Sequence, residues 1–190
     1  MRWIAAFIVC IIVSVLVGIG LALLDRVGFY LVLLMPLIGG MLIGFAAYFP
    51  TIRQKVATAP LLLIALIGCL VAQAVYWGGQ YISYQDSLVS FVQEEDPSAT
   101  REEALELLDL FLQEEYGATG FMGFVQDYAA TGVQIGDVGS GESDMELKGN
   151  IAYGFFGLEA LLMIIFAFIS VFRRESNALV KRNREQTPAT

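Results

Sequence analysis

The chain has 190 residues, of which 57% are hydrophobic and 16% charged, and its formal net charge is −8. A soluble domain is typically about one quarter charged and just under half apolar, so this composition favours a membrane protein. The chain contains no histidine, which excludes Ser-His-Asp hydrolysis, histidine-ligated zinc and histidine-held haem.

Four stretches are long and apolar enough to cross a bilayer, which takes about 20 apolar residues per helix. The predicted spans are Trp3–Leu24, Phe29–Phe49, Val56–Gly78 and Ile151–Phe172. The first apolar run is too long for a signal peptide and lacks a small-residue cleavage site, so we expect it to be retained. The sequence therefore predicts an all-α fold, an integral membrane four-helix bundle.

Basic residues indicate the orientation, because Lys and Arg gather on the cytoplasmic side of a membrane. With both termini in the cytoplasm, eight basic residues lie inside and three lie outside. The inner ones are Arg2, Arg53, Lys55, Arg173, Arg174, Lys181, Arg182 and Arg184; the outer ones are Arg26, Arg101 and Lys148. We therefore predict a multi-pass protein of the cell membrane, of the bacterial inner-membrane type, with both termini cytoplasmic.

The segment between the third and fourth spans is strongly acidic. Residues 79–148 contain fifteen acidic and two basic residues, a net charge of −13. The predicted organisation is residues 1–78 for the first three spans, 79–148 for an acidic extracytoplasmic domain, 149–174 for the fourth span and 175–190 for a basic cytoplasmic tail.

Local patterns predict that this insertion is mostly helical. Tyr81–Glu95 continues the third helix, and Asp96-Pro97 ends it. Thr100 and Glu103 have the spacing of a capping box and begin an amphipathic helix. Its predicted apolar face comprises Ala104, Leu107, Leu108, Phe111 and Leu112. A shorter helix is expected over residues 120–130, and a loop or short hairpin over residues 133–148.

Small residues recur along the predicted spans, as is typical of close helix packing in lipid. They are Ala6, Cys10, Ser14, Gly18 and Ala22 in the first span, Gly40 and Gly44 in the second, and Gly68 and Ala72 in the third. Two interpretations are open at this point. The small residues pack the helices of one bundle together, or they form the contact between subunits of a homo-oligomer.

Glu159 is the only ionisable side chain deep within a predicted span, roughly 12 Å below its outer boundary. Gln73 and Ser14 lie about 7 Å and 15 Å below the outer ends of their own spans, so the three side chains are candidates for an intramembrane polar cluster. Intramembrane carboxylates are costly and face the protein interior or a water-filled cavity. Three roles are open for Glu159. It forms a hydrogen bond that holds neighbouring helices together (a packing lock), it binds a proton or cation, or it contacts a partner or lipid.

No cofactor or metal ion is predicted. The two cysteines lie inside apolar runs and form no CxxC pair. Residues 137–148 lack the alternating ligands of an EF-hand, and no phosphate-binding glycine motif is present. No basic patch points to nucleic acid. The acidic block attracts cations or a basic partner through its field, although a solvated acidic face is the simpler interpretation.

The succession of a short and a long outer loop resembles the topology of tetraspanins, but the long loop lacks the Cys-Cys-Gly motif, so no tetraspanin residue is transferred. A local likeness covers Gly132-Val-Gln-Ile-Gly136, Leu147-Lys-Gly149, Tyr153 and Glu159. This stretch is similar to the end of uncharacterised bacterial four-pass membrane proteins. The resemblance implies no known activity.

Together these features predict a non-enzymatic integral membrane protein, a homo-oligomer or a subunit of a membrane complex, whose acidic outer domain mediates assembly or sensing. Its expected partners are the lipid bilayer and other membrane subunits. The alternative is a cation channel or small transport subunit that uses Glu159. An intramembrane enzyme is the least supported class, because no acid–base pair or nucleophile–base pair is visible.

Overall fold

A computed structural model of the protein describes residues 2–26, 34–51, 57–135 and 145–186. Its helices are α1 (Arg2–Arg26), α2 (Leu34–Tyr48), α3 (Thr58–Glu95), α4 (Arg101–Tyr116), α5 (Gly120–Thr131) and α6 (Asn150–Gln186). A 3-10 turn at Phe49–Thr51 follows α2. Two short strands, β1 (Val133–Ile135) and β2 (Met145–Leu147), pair antiparallel with Val133 opposite Leu147. The fold is therefore helical, with one small hairpin added in the segment predicted to be a loop or hairpin.

Four of the helices are long and apolar enough to cross a membrane. They are the stretches Trp3–Asp25, Leu34–Thr51, Thr58–Glu95 and Asn150–Arg173. This confirms the membrane character predicted from the sequence. The second span was predicted to begin at Phe29, which lies outside the described residues, and α2 is described from Leu34.

The chain divides into two compact units, one of residues 1–76 and 158–190 and the other of residues 77–157. In the first unit, many of the buried side chains are small, although Ile43, Leu61 and Met163 are buried too, and many large apolar side chains lie on the surface. Ala6 and Cys10 on α1, for example, are buried, whereas Ile4 and Ile8 between and beside them are exposed. The boundaries predicted at residues 78 and 149 stay predictions of where the membrane surface lies.

A cluster of aromatic rings packs around the buried Phe124 in the second unit. The ring of Trp77 on α3 contacts Phe124 and Tyr128 on α5, with centroids 6.3 Å and 5.8 Å away, and Phe156 on α6, 4.8 Å away. Phe124 is buried at the centre of this cluster. Edge-to-face ring pairs add stability beyond the area that they bury, so the cluster joins α3, α5 and α6 within this unit.

Helix α4 begins and ends as its sequence predicts, and its predicted apolar face is buried only in part. Thr100 and Glu103 form a complete capping box, and Gly117 ends the helix with a left-handed φ of 72°. Ala104, Leu108 and Leu112 of that face are buried. Leu107 and Phe111, which the sequence places on the same apolar face, are exposed. Helix α5 lies against Leu112, because a Cβ atom at Gly123 would be 2.9 Å from the Cβ of Leu112.

Candidate functional site

The small residues of α1 all lie on its buried face. Ala6, Cys10, Ser14, Gly18 and Ala22 are buried in the structure. A Cβ atom at Gly18 would lie 2.6 Å from the carbonyl oxygen of Ala72 and 2.7 Å from the Cβ of Val75. Both neighbours belong to α3 of the same chain. The Gly18 end of this stripe therefore packs within the chain, which is the first of the two interpretations left open above.

Three helices meet around Gly68. A Cβ atom at this position would lie 2.7 Å from the sulfur of Cys10, 2.7 Å from the hydroxyl oxygen of Ser14 and 2.8 Å from a methyl group of Ile43. Those side chains come from α1 and α2. Only a glycine on α3 leaves space for them, so Gly68 allows α1, α2 and α3 to approach at one point.

Helix α2 packs against the backbone of α6 through two glycines. A Cβ atom at Gly40 would collide with the carbonyl oxygen of Met163, and one at Gly44 would collide with that of Ala167. The hydroxyl of Ser170 donates a hydrogen bond to the carbonyl oxygen of Met41, with 3.2 Å between the oxygens. Gly40 and Gly44 therefore allow the backbones of α2 and α6 to pack in close contact.

The buried polar side chains of α1 and α3 donate to backbone carbonyls. The hydroxyl of Ser14 donates to the carbonyl of Cys10 over 2.7 Å. The thiol of Cys10 donates to the carbonyl of Ile64 over 3.6 Å, and the thiol of Cys69 to that of Met163 over 3.9 Å. Thiols are weak donors, so these contacts satisfy the side chains without binding the helices strongly.

The predicted polar cluster has one member exposed more than the others. Glu159 is buried, on the same face of α6 as Met163 and Ala167, four and eight residues later. Ser14 is also buried, but its hydroxyl donates within its own helix. Gln73 is half-buried on α3. A joint role of Ser14, Gln73 and Glu159 stays a prediction.

A hydrogen-bonded group in the second unit has no counterpart in the sequence-based predictions. The phenol of Tyr84 on α3 donates to one oxygen of the Asp127 carboxylate, and the phenol of Tyr116 at the end of α4 donates to the other, each over 2.8 Å. Burial and this carboxylate raise the pKa of Tyr116 to about 12. Asp127 therefore joins α3, α4 and α5, and no sequence spacing relates three residues on three different helices.

The acidic residues of the second unit form a solvated surface. Asp86 and Arg101 form an ion pair at 2.9 Å, with about half of each side chain exposed, a setting in which such a pair is worth about 0–1 kcal/mol. Hydrogen bonds from the hydroxyl and backbone N–H of Ser98 lower the pKa of Asp96. Those from the backbone N–H and hydroxyl of Thr100 lower the pKa of Glu103. Within the described ranges, no three acidic or cysteine side chains are grouped so that they could hold a metal ion.

Comparison with known proteins identifies no relative of the chain. No protein-family model matches the chain, and searches of curated proteins and of solved structures find no similar protein.

Proposed function

We propose that the protein is a non-enzymatic, four-span integral membrane protein that acts as a homo-oligomer or as a subunit of a membrane complex. In this proposal α1, α2, α6 and the apolar part of α3 form a four-helix bundle in the lipid. The acidic, mostly helical insertion between α3 and α6 lies outside the cytoplasm and mediates assembly or sensing. Both termini lie in the cytoplasm.

The observation that carries the membrane part of the proposal is the distribution of side-chain size on the helices. On α1, Ile4 and Leu16 are 63% and 62% exposed, whereas Ala6 is 0% exposed. A soluble monomer rarely exposes so large an apolar surface. In lipid the same surface is solvated, and helices associate through close contact of small residues, as Gly18, Gly40 and Gly44 do here.

The character of the outer surface supports a role in association. Its acidic clusters Glu94-Glu95-Asp96, Glu102-Glu103 and Glu114-Glu115 are exposed. Their negative charges sum to a field that steers oppositely charged partners and opposes others. Such a surface recruits or orients a neighbour without any chemical step.

Labelling of single introduced cysteines tests the orientation. Both native thiols are buried, so they contribute little background to labelling by a membrane-impermeant maleimide. We expect Glu102→Cys to be labelled on intact cells and Arg182→Cys only after permeabilisation. Labelling of both residues from the same side of the membrane would overturn the proposed topology.

Cross-linking in native membranes tests the assembly role. We expect cross-linked species larger than the 20.8 kDa chain. The double variant Glu114→Lys and Glu115→Lys should yield fewer of the species that contain a second, basic protein, since it reverses an exposed acidic cluster that would attract such a partner. The matched control is Glu114→Asp with Glu115→Asp, which keeps the charge. If the protein runs as a monomer under every cross-linking condition, assembly is not its role.

The alternative function, a cation channel or transport subunit, depends on one observation, the buried carboxylate of Glu159. Glu159→Gln distinguishes the two functions in reconstituted vesicles. If Glu159 is a packing lock, the amide replaces its hydrogen bond, and assembly is retained. Loss of a cation flux with assembly intact would instead favour the channel.

A further inference from the structure

Part of the apolar surface of helix α4 is not covered by its own unit. Leu107, Leu110 and Phe111 are 55%, 66% and 50% exposed, and their spacing of three and four residues places them on one face of the helix. We call these three residues the α4 stripe. The buried face of the same helix, with Ala104 and Leu108, already packs inside the unit. The α4 stripe is therefore apolar surface beyond what the fold of this unit uses.

Acidic residues bracket the α4 stripe along the helix axis. Glu103 lies one turn before Leu107, and Glu114 lies one turn after Leu110. The two carboxylates are eleven positions apart, roughly 16 Å at the rise of an α-helix. The backbone N–H of Thr100 donates to the Glu103 carboxylate over 2.8 Å, which fixes one of these charges at the start of the helix. Glu106, also exposed, adds a third negative charge beside the stripe.

We propose that the α4 stripe docks a basic amphipathic helix of a partner protein. The apolar residues of the partner would cover Leu107, Leu110 and Phe111, and its Lys or Arg side chains would meet Glu103 and Glu114 at the two ends. This inference rests on the proposed function, in which the outer domain mediates assembly, and it names the chemistry of the partner.

Charge complementarity selects this occupant over two others. A second copy of the chain would bring a second acidic block of net charge −13 against the first, and juxtaposed like charges cost several kcal/mol. An anionic lipid surface is opposed for the same reason, since such surfaces attract polybasic segments. A basic amphipathic helix would gain binding energy both from the apolar residues of the α4 stripe and from the acidic residues beside it. Because three exposed residues make a small contact, we expect the complex to be weak and transient.

Peptide binding to the full-length protein in nanodiscs of zwitterionic lipid tests this proposal. The probe is a fluorescent Lys/Leu peptide that forms an amphipathic helix with lysines eleven positions apart. The matched peptide has the same composition in scrambled order, so it has the same charge but no apolar face. Empty nanodiscs give the background. We expect the amphipathic peptide to bind more tightly, and added salt to weaken its binding through screening.

Two protein variants locate the binding site. Leu110→Ser should weaken binding about tenfold, the equivalent of part of one leucine side chain returned to water. The control is Met122→Ser on α5, a similarly exposed residue outside the stripe, which should bind as the wild type does. Circular dichroism of both variants verifies that the helices are retained.

Several outcomes would overturn the proposal. Equal binding of the scrambled peptide would show attraction by charge alone, and unchanged binding by Leu110→Ser would place the peptide elsewhere. Loss of cross-linked dimers in Leu110→Ser without peptide would show that a second copy occupies the stripe, and capture of anionic vesicles would show a lipid surface. If cross-linked assemblies persist while peptide binding fails, only this inference falls. If cysteine labelling places Glu102 and Arg182 on the same side of the membrane, the proposed function is contradicted as well.

Discussion

Gly18 and Gly20 are two residues apart on α1 and have opposite surroundings. A Cβ atom at Gly18 would lie 2.6 Å from the carbonyl oxygen of Ala72, whereas one at Gly20 would have no heavy atom within 4 Å. The backbone of α3 cannot retreat as a flexible side chain can. The requirement for glycine at residue 18 is therefore steric and comes from a different helix.

We expect Gly18→Ala to destabilise the protein by about 1–3 kcal/mol, the usual cost of overpacking a closed contact. Gly20→Ala is the matched control on the same helix and should change stability by less than about 0.5 kcal/mol, as substitutions away from packed sites do. Thermal unfolding in one detergent, followed by size-exclusion chromatography, measures both. Equal losses in the two variants would contradict the contact between Gly18 and α3.

Tyr116 predicts a loss of stability at alkaline pH. Its pKa is raised from 10.0 to about 12, by burial and by the carboxylate of Asp127. A raised pKa in the folded state stabilises the fold fully below the unfolded value and no longer does so once the pH has passed the folded value. The free energy of unfolding should therefore fall between pH 10 and pH 12.

Tyr116→Phe should make this alkaline fall smaller, because the variant has no phenol to ionise at this site. Tyr84 donates to the same carboxylate, so a residual fall is expected. Circular dichroism and phenolate absorbance, recorded through the titration, follow folding and ionisation together. An identical pH profile in wild type and Tyr116→Phe would be inconsistent with the hydrogen bond to Asp127.

At the scale of elements, α4 and α5 both begin after a threonine, but only one of these threonines caps its helix. The hydroxyl of Thr100 accepts from the backbone N–H of Glu103, whose carboxylate accepts from the backbone N–H of Thr100. Thr119, before α5, makes no side-chain capping bond. The first N–H group of α5 instead donates to the carboxylate of Asp109 on α4, from Gly120 over 2.9 Å. The start of α5 thus depends on its neighbour.

Thr100→Ala should destabilise α4 by about 1 kcal/mol, a typical cost for the loss of an N-cap. Thr119→Ala should have little effect, since its side chain forms no capping bond to lose. Hydrogen exchange at the first turn of each helix, in the full-length protein, measures the difference. If Thr119→Ala accelerates exchange at the first turn of α5 more than Thr100→Ala accelerates it at the first turn of α4, the assignment of Thr100 as the only capping threonine of the two is wrong.

Acid weakens the same cap of α4. The pKa of Glu103 is lowered from 4.5 by its bonds from Thr100, so this carboxylate stabilises the fold at pH values above 4.5. That stabilisation is lost as the pH falls through the lower folded value. Exchange at the first turn of α4 should therefore accelerate on acidification in the wild type and less so in Glu103→Gln.

At the scale of the whole molecule, charge and apolar surface are separated along the chain. Fifteen of the nineteen acidic residues lie in residues 79–148, within or next to the second compact unit. Self-repulsion among like charges destabilises a compact state. Screening shortens the Debye length from about 30 Å at 0.01 M salt to about 10 Å at 0.1 M. Added salt should consequently stabilise the acidic unit.

We expect the melting temperature of this unit to rise by several degrees over that range of salt. In a Trp3→Phe background, the fluorescence of Trp77 reports on the aromatic cluster of the unit, because the chain has two tryptophans. Glu114→Gln with Glu115→Gln should reduce the salt effect. A melting temperature that falls with salt would show that attraction between charges, as in the pair of Asp86 and Arg101, outweighs repulsion.

The sequence predicts those features that depend on local pattern. Apolar runs predict the four long helices, the Thr100-to-Glu103 spacing predicts the cap of α4, and the four-residue period of α1 predicts its buried face. Features that depend on the partner of a residue were not predictable. The exposure of Leu107 depends on which residues of other helices pack against α4, and the bonds to Asp127 join helices distant in sequence. No local pattern contains that information.

The close contact of Gly40 and Gly44 with the backbone of α6 has a consequence for biosynthesis. Gly40 and Gly44 contact Met163 and Ala167. These contacting residues are about 120 positions apart in the chain, roughly 6–25 s of translation at ordinary rates. During that interval Gly40 and Gly44 lack the backbone of α6 that they contact in the folded protein. The packing of α2 is therefore completed only after α6 has been synthesised.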